Sequence, residues 1–276
     1  MKNKLKTIVA ISIILSLGGI LAGFSNEPKS WYFERQKDLN QPPLAQTEID
    51  IKAHNSYYLG DTSQKELYLT FDEGYENGYT EMILDALLEK NVPAAFFVTK
   101  SYIKENPKLI ARMVKEGHIV GNHTVRHLSS PKLSDQELIA ELTQVADYFK
   151  EQTGQEMPPF FRPPMGQYSE NVLAVACAQG YHTIFWSFAY EDWLEDKQPG
   201  AHAAHKRVVD HLHNGAIILL HAVSSSNAQA MGDIIDSAKS LGYQFKSLYE
   251  LPDIDTDKPF GAWIEGPFGS WIEGGA

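Results

Sequence analysis

Apolar positions along this chain come in short blocks whose period switches between two and three to four. Leu67, Leu69 and Phe71 alternate with their neighbours, the pattern of a strand over 67–71 with one face on a core. Residues 80–90 then set Met82, Ile83, Leu84, Leu87 and Leu88 at helical spacing. A continuous apolar run at 94–98 follows Pro93 and reads as a fully buried strand. The spacing predicts a helix over 107–116 stopped at Gly117, and a short strand over 119–121. Ser134 and Glu137 form a capping-box pattern that opens a helix running to about Gln152. Beyond it the chain predicts a small-residue helix at 171–179, a strand at 183–186 and a helix at 203–212. A buried strand at 216–220, a helix at 231–240 and a last strand near 243–245 complete the series.

Strand–helix units repeated in this way, with apolar strands, imply a parallel sheet, either closed as a barrel or open and doubly wound. The polar exceptions fall where strands end: Asp72, His123, Arg162, Asp192 and His221. In a parallel barrel those ends share one rim, where such folds place their sites, and the convergence favours a barrel.

The flanks differ from this regular middle. Lys2, Lys4 and Lys6 precede an uncharged apolar run over 7–24, which reads as a secretory signal or uncleaved anchor within residues 1–25. The folded part is therefore expected outside the cytoplasmic membrane, with transient membrane association through this segment. Residues 26–63, with Pro28, Pro42 and Pro43, read as a linker and irregular wrap, docked by Trp31, Tyr32 and Phe33. Residues 64–250 form the expected domain and 251–276 a tail. The tail repeats FGAWIEG at 260–266 as FGSWIEG at 268–274, two copies being too few for a solenoid. A net charge of −11 argues against nucleic acid as a partner. The single Cys177 cannot form an internal disulfide and has no zinc-type spacing around it.

Chemistry concentrates at the strand ends. Asp72 and Glu73 are adjacent acids followed by Gly74, a costly arrangement for a fold with no use for it. His123 and His127 stand at i and i+4 in NHTVRH, a spacing that a helix or a turn can use to bind a metal. His221 follows the AIILL strand on the side of Asp72, where a general acid is useful, and Asp192 offers a carboxylate to orient it. Arg162 is a permanent cation on a proline-stiffened loop, able to pair with Asp72. His202, His205, His211 and His213 lie in or beside a helical stretch with no acidic strand tip nearby and read as solvated or helix-face residues.

Five segments in order now resemble a family: TFDEG (70–74), GNHTVRH (121–127), RPPMGQYS (162–169), DW (192–193) and LLH (219–221). They look like the motifs of polysaccharide deacetylases, the NodB homology domain of carbohydrate esterase family 4. The form FDEGYENGY with NHTVRH further resembles the delta-lactam-forming peptidoglycan N-acetylmuramic acid deacetylases of spore cortex. The resemblance implies a deformed (β/α) barrel. It implies Asp72 as general base, Arg162 orienting it, His221 as general acid tuned by Asp192, and the Met165 amide at the oxyanion. Trp193 and the loop around Tyr168 would line a groove for a peptidoglycan glycan strand. His123 and His127 would hold a divalent metal, zinc first, with manganese or cobalt as alternatives. The family's usual third ligand is an aspartate where this chain has Glu73. One methylene moves a carboxylate by about 1.5 Å, against a tolerance of roughly 0.2 Å, so weak metal affinity is expected. Deacetylation of N-acetylglucosamine in wall glycan or chitin, O-ester hydrolysis and a non-catalytic glycan-binding module stand as alternatives.

Overall fold

The sheet is built outward from the strand that carries the two acids. A computed structural model describes residues 23–38 and 40–254. Most of the expected signal or anchor, and the aromatic repeat of the tail, lie outside the described residues.

Eight strands form the main sheet: β1 (Ser56–Tyr57), β2 (Glu66–Glu73), β3 (Ala95–Val98), β4 (Ile119–Asn122), β5 (Phe160–Phe161), β6 (His182–Ile184), β7 (Ala216–His221) and β8 (Gln244–Phe245). Their order is β7-β2-β3-β4-β5-β6-β1, with β8 also on β2, and every pairing among them is parallel. Two isolated bridges, Leu59 to Ala216 and Phe188 to Ile218, link the far side back to β7. The result is a deformed (β/α) barrel whose last seam is closed by bridges rather than a ladder. Around it run α1 (Thr80–Lys90), α2 (Lys100–Glu105), α3 (Pro107–Lys115), α4 (Asp135–Thr153), α5 (Glu170–Ala178), α6 (Ala201–Val209) and α7 (Ser225–Ser240).

Alternation along β2 sorts its side chains into two layers. Leu67, Leu69 and Phe71 pack outward with helix residues such as Ile83, Leu87, Met231 and Ile235. Tyr68 points into the barrel with Phe97, Phe160, Ile184 and Ile217. By the same period of two, Asp72 belongs to the inner set and Glu73 to the outer.

Several elements depart from the sequence expectation, among them the short helix α2, which no apolar spacing marked. Strand β2 continues through both acids, because Asp72 and Glu73 pair with Phe97 and Val98 on β3; ladder hydrogen bonds outweigh their weak strand preference. Helix α7 begins at Ser225 rather than near 231, since its first turn is polar and is held by the Ser224 cap instead of apolar spacing. Ser56–Tyr57, expected in the irregular wrap, is a parallel strand of the sheet. Ser134 and Glu137 do form a reciprocal capping box at the start of α4.

The wrap is docked along one flank. Lys29–Ser30 pairs with Gln167–Tyr168, and Trp31 stacks on Phe185 at 4.2 Å between ring centres while its indole N–H donates to the Trp186 carbonyl. Further back, the Asn171 N–H donates to the Ser25 carbonyl and the Ser169 hydroxyl to Asn26. The chain therefore enters the body beside the loop that carries Arg162.

Candidate active site

Register on three neighbouring strands assembles the centre. His221 on β7 and Phe97 on β3 lie opposite Asp72, so all three share the inner face. Gly121 on β4 is opposite Phe97, and a Cβ there would come within 2.8 Å of the Phe97 ring. Only glycine leaves that ring its place.

The ring is the floor for Arg162, whose guanidinium lies 4.2 Å above it and 5.7 Å from Trp186. Arg162 is fully buried. Its Nε donates to the Ile184 carbonyl at 2.9 Å and Nη2 to the Phe185 carbonyl at 3.3 Å, leaving Nη1 for Asp72 Oδ1 at 2.9 Å. Burial alone would raise the Asp72 carboxyl. Arg162 foremost, with His123 and His221, more than offsets this and holds it below its ordinary 3.8. Asp72 is thereby an ionised carboxylate with one oxygen fixed.

Its second oxygen faces His123, with Oδ2 and Nε2 3.6 Å apart. Nδ1 of His123 sits 2.8 Å from the Arg162 carbonyl oxygen, which only accepts, so the hydrogen is on Nδ1 and the Nε2 lone pair is free. The His127 ring lies 4.9 Å from that of His123. Burial pushes both imidazoles down, His123 to about 4, so both are neutral at physiological pH. The pair sits on a loop, not a helix. Val125 and Arg126 donate backbone N–H to the buried Glu141 of α4 at 2.8 and 2.9 Å, and the His127 N–H donates to Thr124 Oγ1. Thr124 and His127 take left-handed backbone angles, with φ of 69° and 54°.

Two neutral imidazoles, one oriented by a backbone carbonyl, fit a borderline divalent cation. A third protein ligand is a different matter. Among the described residues no group of three His, Cys, Asp or Glu side chains is arranged to hold an ion. Glu73, expected as the third ligand, falls in the outer layer and is completely buried, and neither carboxylate oxygen has a hydrogen-bond partner. Burial first, then Glu76 and Asp72, push its carboxyl well above the ordinary range.

Opposite, His221 Nδ1 is 2.7 Å from Asp192 Oδ1. An ionised carboxylate only accepts, so Nδ1 carries the hydrogen and Nε2 is turned to the rim. Burial lowers the His221 pKa, but Asp192 and then Asp72 outweigh it, and the imidazole is held above its ordinary 6.5. Trp193 is half exposed with its ring 5.3 Å from that of His221, edge on, which places an aromatic wall beside the imidazole. Met165 is exposed at the tip of the 162–168 loop with φ 58°.

Tyr168 corrects the expectation of a groove-lining side chain. It is 1% exposed, packed on Trp31 and Phe185, and its hydroxyl donates to Thr47 at 2.8 Å. Pairing with Lys29–Ser30 draws it under the wrap, so it has no face for a sugar. The structure also gathers residues that no sequence pattern marked: Glu141, Asn227, Ser224 and Gln198. Glu141, Asn227 and Gln198 act through tertiary contacts and stand in no local motif. Ser224, as the helix cap of α7, alone left a local signal.

An Asp–Arg pair and a His–Asp pair facing one rim of a parallel barrel, beside two neutral histidines, define a hydrolase site able to activate water and protonate a leaving group. The chain belongs to the polysaccharide deacetylase family, carbohydrate esterase family 4. A family profile described as polysaccharide deacetylase matches residues 59–184. The chain is 40% identical to the peptidoglycan-N-acetylmuramic acid deacetylase PdaA of Bacillus subtilis, over 89% of this chain and 94% of that one. The solved structure of B. subtilis PdaA, a family 4 carbohydrate esterase, superposes with a TM-score of 0.79 at 42% identity, covering 82% of this chain and 97% of the other. A peptidoglycan-N-acetylglucosamine deacetylase of Bacillus cereus is 32% identical over 68% of this chain and 89% of its own. A family 4 pseudoenzyme from Bacillus anthracis aligns with a TM-score of 0.66 at 30% identity, over 72% of this chain and 69% of its own.

Proposed function

We propose that this protein removes the N-acetyl group from N-acetylmuramic acid residues of peptidoglycan. The observation that carries the reading is the in-register pairing of Asp72 with His221, each held by its own buried partner, Arg162 and Asp192. Amide hydrolysis needs a base for water, donors for the oxyanion and an acid for a poor leaving group. Asp72 takes a proton from water as the water oxygen joins the acetamide carbon. The Met165 amide donates to the oxyanion. His221, through Nε2, gives a proton to the sugar nitrogen as the carbon–nitrogen bond breaks, releasing acetate and a free amine. Arg162 keeps Asp72 ionised and aimed, Asp192 keeps Nδ1 of His221 occupied, and Trp193 supplies the wall against which a sugar ring rests.

Members of this family are generally metal dependent. His123 and His127 would hold the ion, zinc being the metal best matched to two imidazoles, with manganese and cobalt as alternatives. When bound, the ion supplies Lewis-acid polarisation of the carbonyl and the water. With two protein ligands the affinity is weak.

The likeness to PdaA favours muramic acid over glucosamine. The freed amine lies beside the lactyl carboxyl of the same sugar, and their condensation with loss of water gives muramic delta-lactam, the modification of spore cortex. The substrate places the protein outside the cytoplasmic membrane. The test is acetate release from de-peptidated peptidoglycan, with and without chelator, followed by mass spectrometry of the digested strands. Acetyl loss at muramic residues, abolished by Asp72→Asn, is the expected result; loss confined to glucosamine residues overturns the substrate assignment. The pseudoenzyme relative motivates a second reading, a non-catalytic glycan-binding module. Glycan binding without acetate release at any metal concentration decides for it.

A further inference from the structure

The carboxylate that orients His221 is itself held by a residue outside every motif. Asp192 is 1% exposed, and its two oxygens meet three donors. Oδ1 faces His221 Nδ1 at 2.7 Å. Oδ2 accepts the His221 backbone N–H at 2.9 Å and the Asn227 side-chain amide at 2.6 Å.

Asn227 is completely buried in the first turn of α7. Its amide orientation is fixed from the other end, because the Tyr190 hydroxyl donates to Oδ1. Burial pushes the Tyr190 hydroxyl well above its usual range, so it remains a donor. The reverse orientation would set the Asn227 carbonyl oxygen against the Asp192 carboxylate, two acceptors face to face. Its backbone is fixed as well. The Asn227 N–H donates to the cap hydroxyl of Ser224, which donates to Gln198 Oε1 at 2.6 Å. Gln198 in turn donates to the carbonyls of Asp192 and Leu194. The loop carrying Asp192 and the first turn of α7 are thus clamped together at side chain and backbone.

We propose that Asn227 is a positioning residue for the deacetylation, holding Asp192 Oδ2 so that Oδ1 stays on His221 Nδ1. This rests on the assignment of His221 as the general acid. An amide suits the position because it donates to the carboxylate and carries no charge or titration of its own. With that donor gone, Oδ2 keeps only the His221 backbone N–H, so the carboxylate can tilt and carry Oδ1 out of line with His221 Nδ1.

The test uses Asn227→Ala and, should that variant fold poorly, Tyr190→Phe, which releases the amide with little change in volume. In the Asn227→Ala protein kcat falls roughly ten- to hundredfold with KM little changed, the scale of a lost hydrogen bond to a charged group. The basic limb of the pH–rate profile moves to lower pH, as His221 loses part of the support that raises it. Asp72 on β2, Arg162 after β5 and His127 in the loop after β4 also face His221 and are identical in both proteins, so they do not contribute to the difference. In an Asp192→Asn background the Asn227→Ala change has little further effect on kcat, the non-additivity of residues acting in series. An unchanged profile with additive effects overturns the proposal while leaving the deacetylase reading intact. If the wild type releases no acetate, the His221 ring is titrated by NMR in both proteins. A lower pKa in the variant supports the positioning role without activity, and equal values overturn it.

Discussion

Two neighbouring carboxylates one peptide apart meet opposite fates in this protein. Asp72 points into the barrel and is held ionised by Arg162; Glu73 points outward, buried and unpaired. The sequence shows both acids and their motif, and the period of a strand separates them, but only the continuation of β2 through Glu73 reveals that the period applies. A shift in charge balance at Arg162 is therefore read directly at Asp72. With Asp72 as the proposed base and His221 as the proposed acid, the rate is expected to fall as pH drops through the Asp72 pKa and again as it rises through that of His221. Arg162→Lys keeps a cation but cannot serve Ile184, Phe185 and Asp72 together. The expected result is an acid limb of kcat/KM moved to higher pH and a plateau at least about tenfold lower. An unmoved acid limb would show that Asp72 is not the group titrating there.

The elements were legible in proportion to their apolar periodicity. Helix α1 and the capping box of α4 follow from spacing and cap residues alone. Ser56–Tyr57 and the first turn of α7 do not, because their register comes from partners far along the chain. Tyr168 likewise reads as a groove residue by motif, yet pairing of its strand with the wrap buries it. Strand β4 offers a test of how tightly these elements fix the site. An alanine Cβ at Gly121 would lie 2.8 Å from two Phe97 ring carbons and 3.1 Å from the Phe160 carbonyl oxygen. The ring has no retreat, since Arg162 lies on it. Gly121→Ala should cost about 1–3 kcal/mol in thermal or urea unfolding, and it should lower kcat because β4 also delivers His123.

For the whole molecule, polar groups buried in an apolar body carry part of their cost as acid sensitivity. His118, buried just ahead of β4, accepts the Ala94 N–H on Nδ1. Burial foremost, then Arg112, lower its pKa to about 3. The unfolded chain takes up that proton near pH 6.5, whereas the folded chain refuses it until far lower. Stability from this source is complete above pH 6.5 and is lost as pH falls towards 3, at ~1.4 kcal/mol per pH unit. His123 adds the same trend down to about pH 4. Melting temperatures measured between pH 7 and 5 should fall for the wild type and fall less for His118→Asn. Equal slopes would exclude His118 as a source.

The point of entry of the chain has a mechanical consequence. Ser25 and Asn26 are fastened to Ser169 and Asn171, a few residues past the Arg162–Met165 loop. Were the expected N-terminal segment an uncut anchor, it would be a leash attached beside the candidate site, because Ser25 and Asn26 are fastened there. Tension on it would pull on the flank of the loop that carries Arg162 and Met165. Tethered in this way, the protein would work on glycan within a short radius of its own attachment; released, it would carry the same edge to strands deeper in the wall.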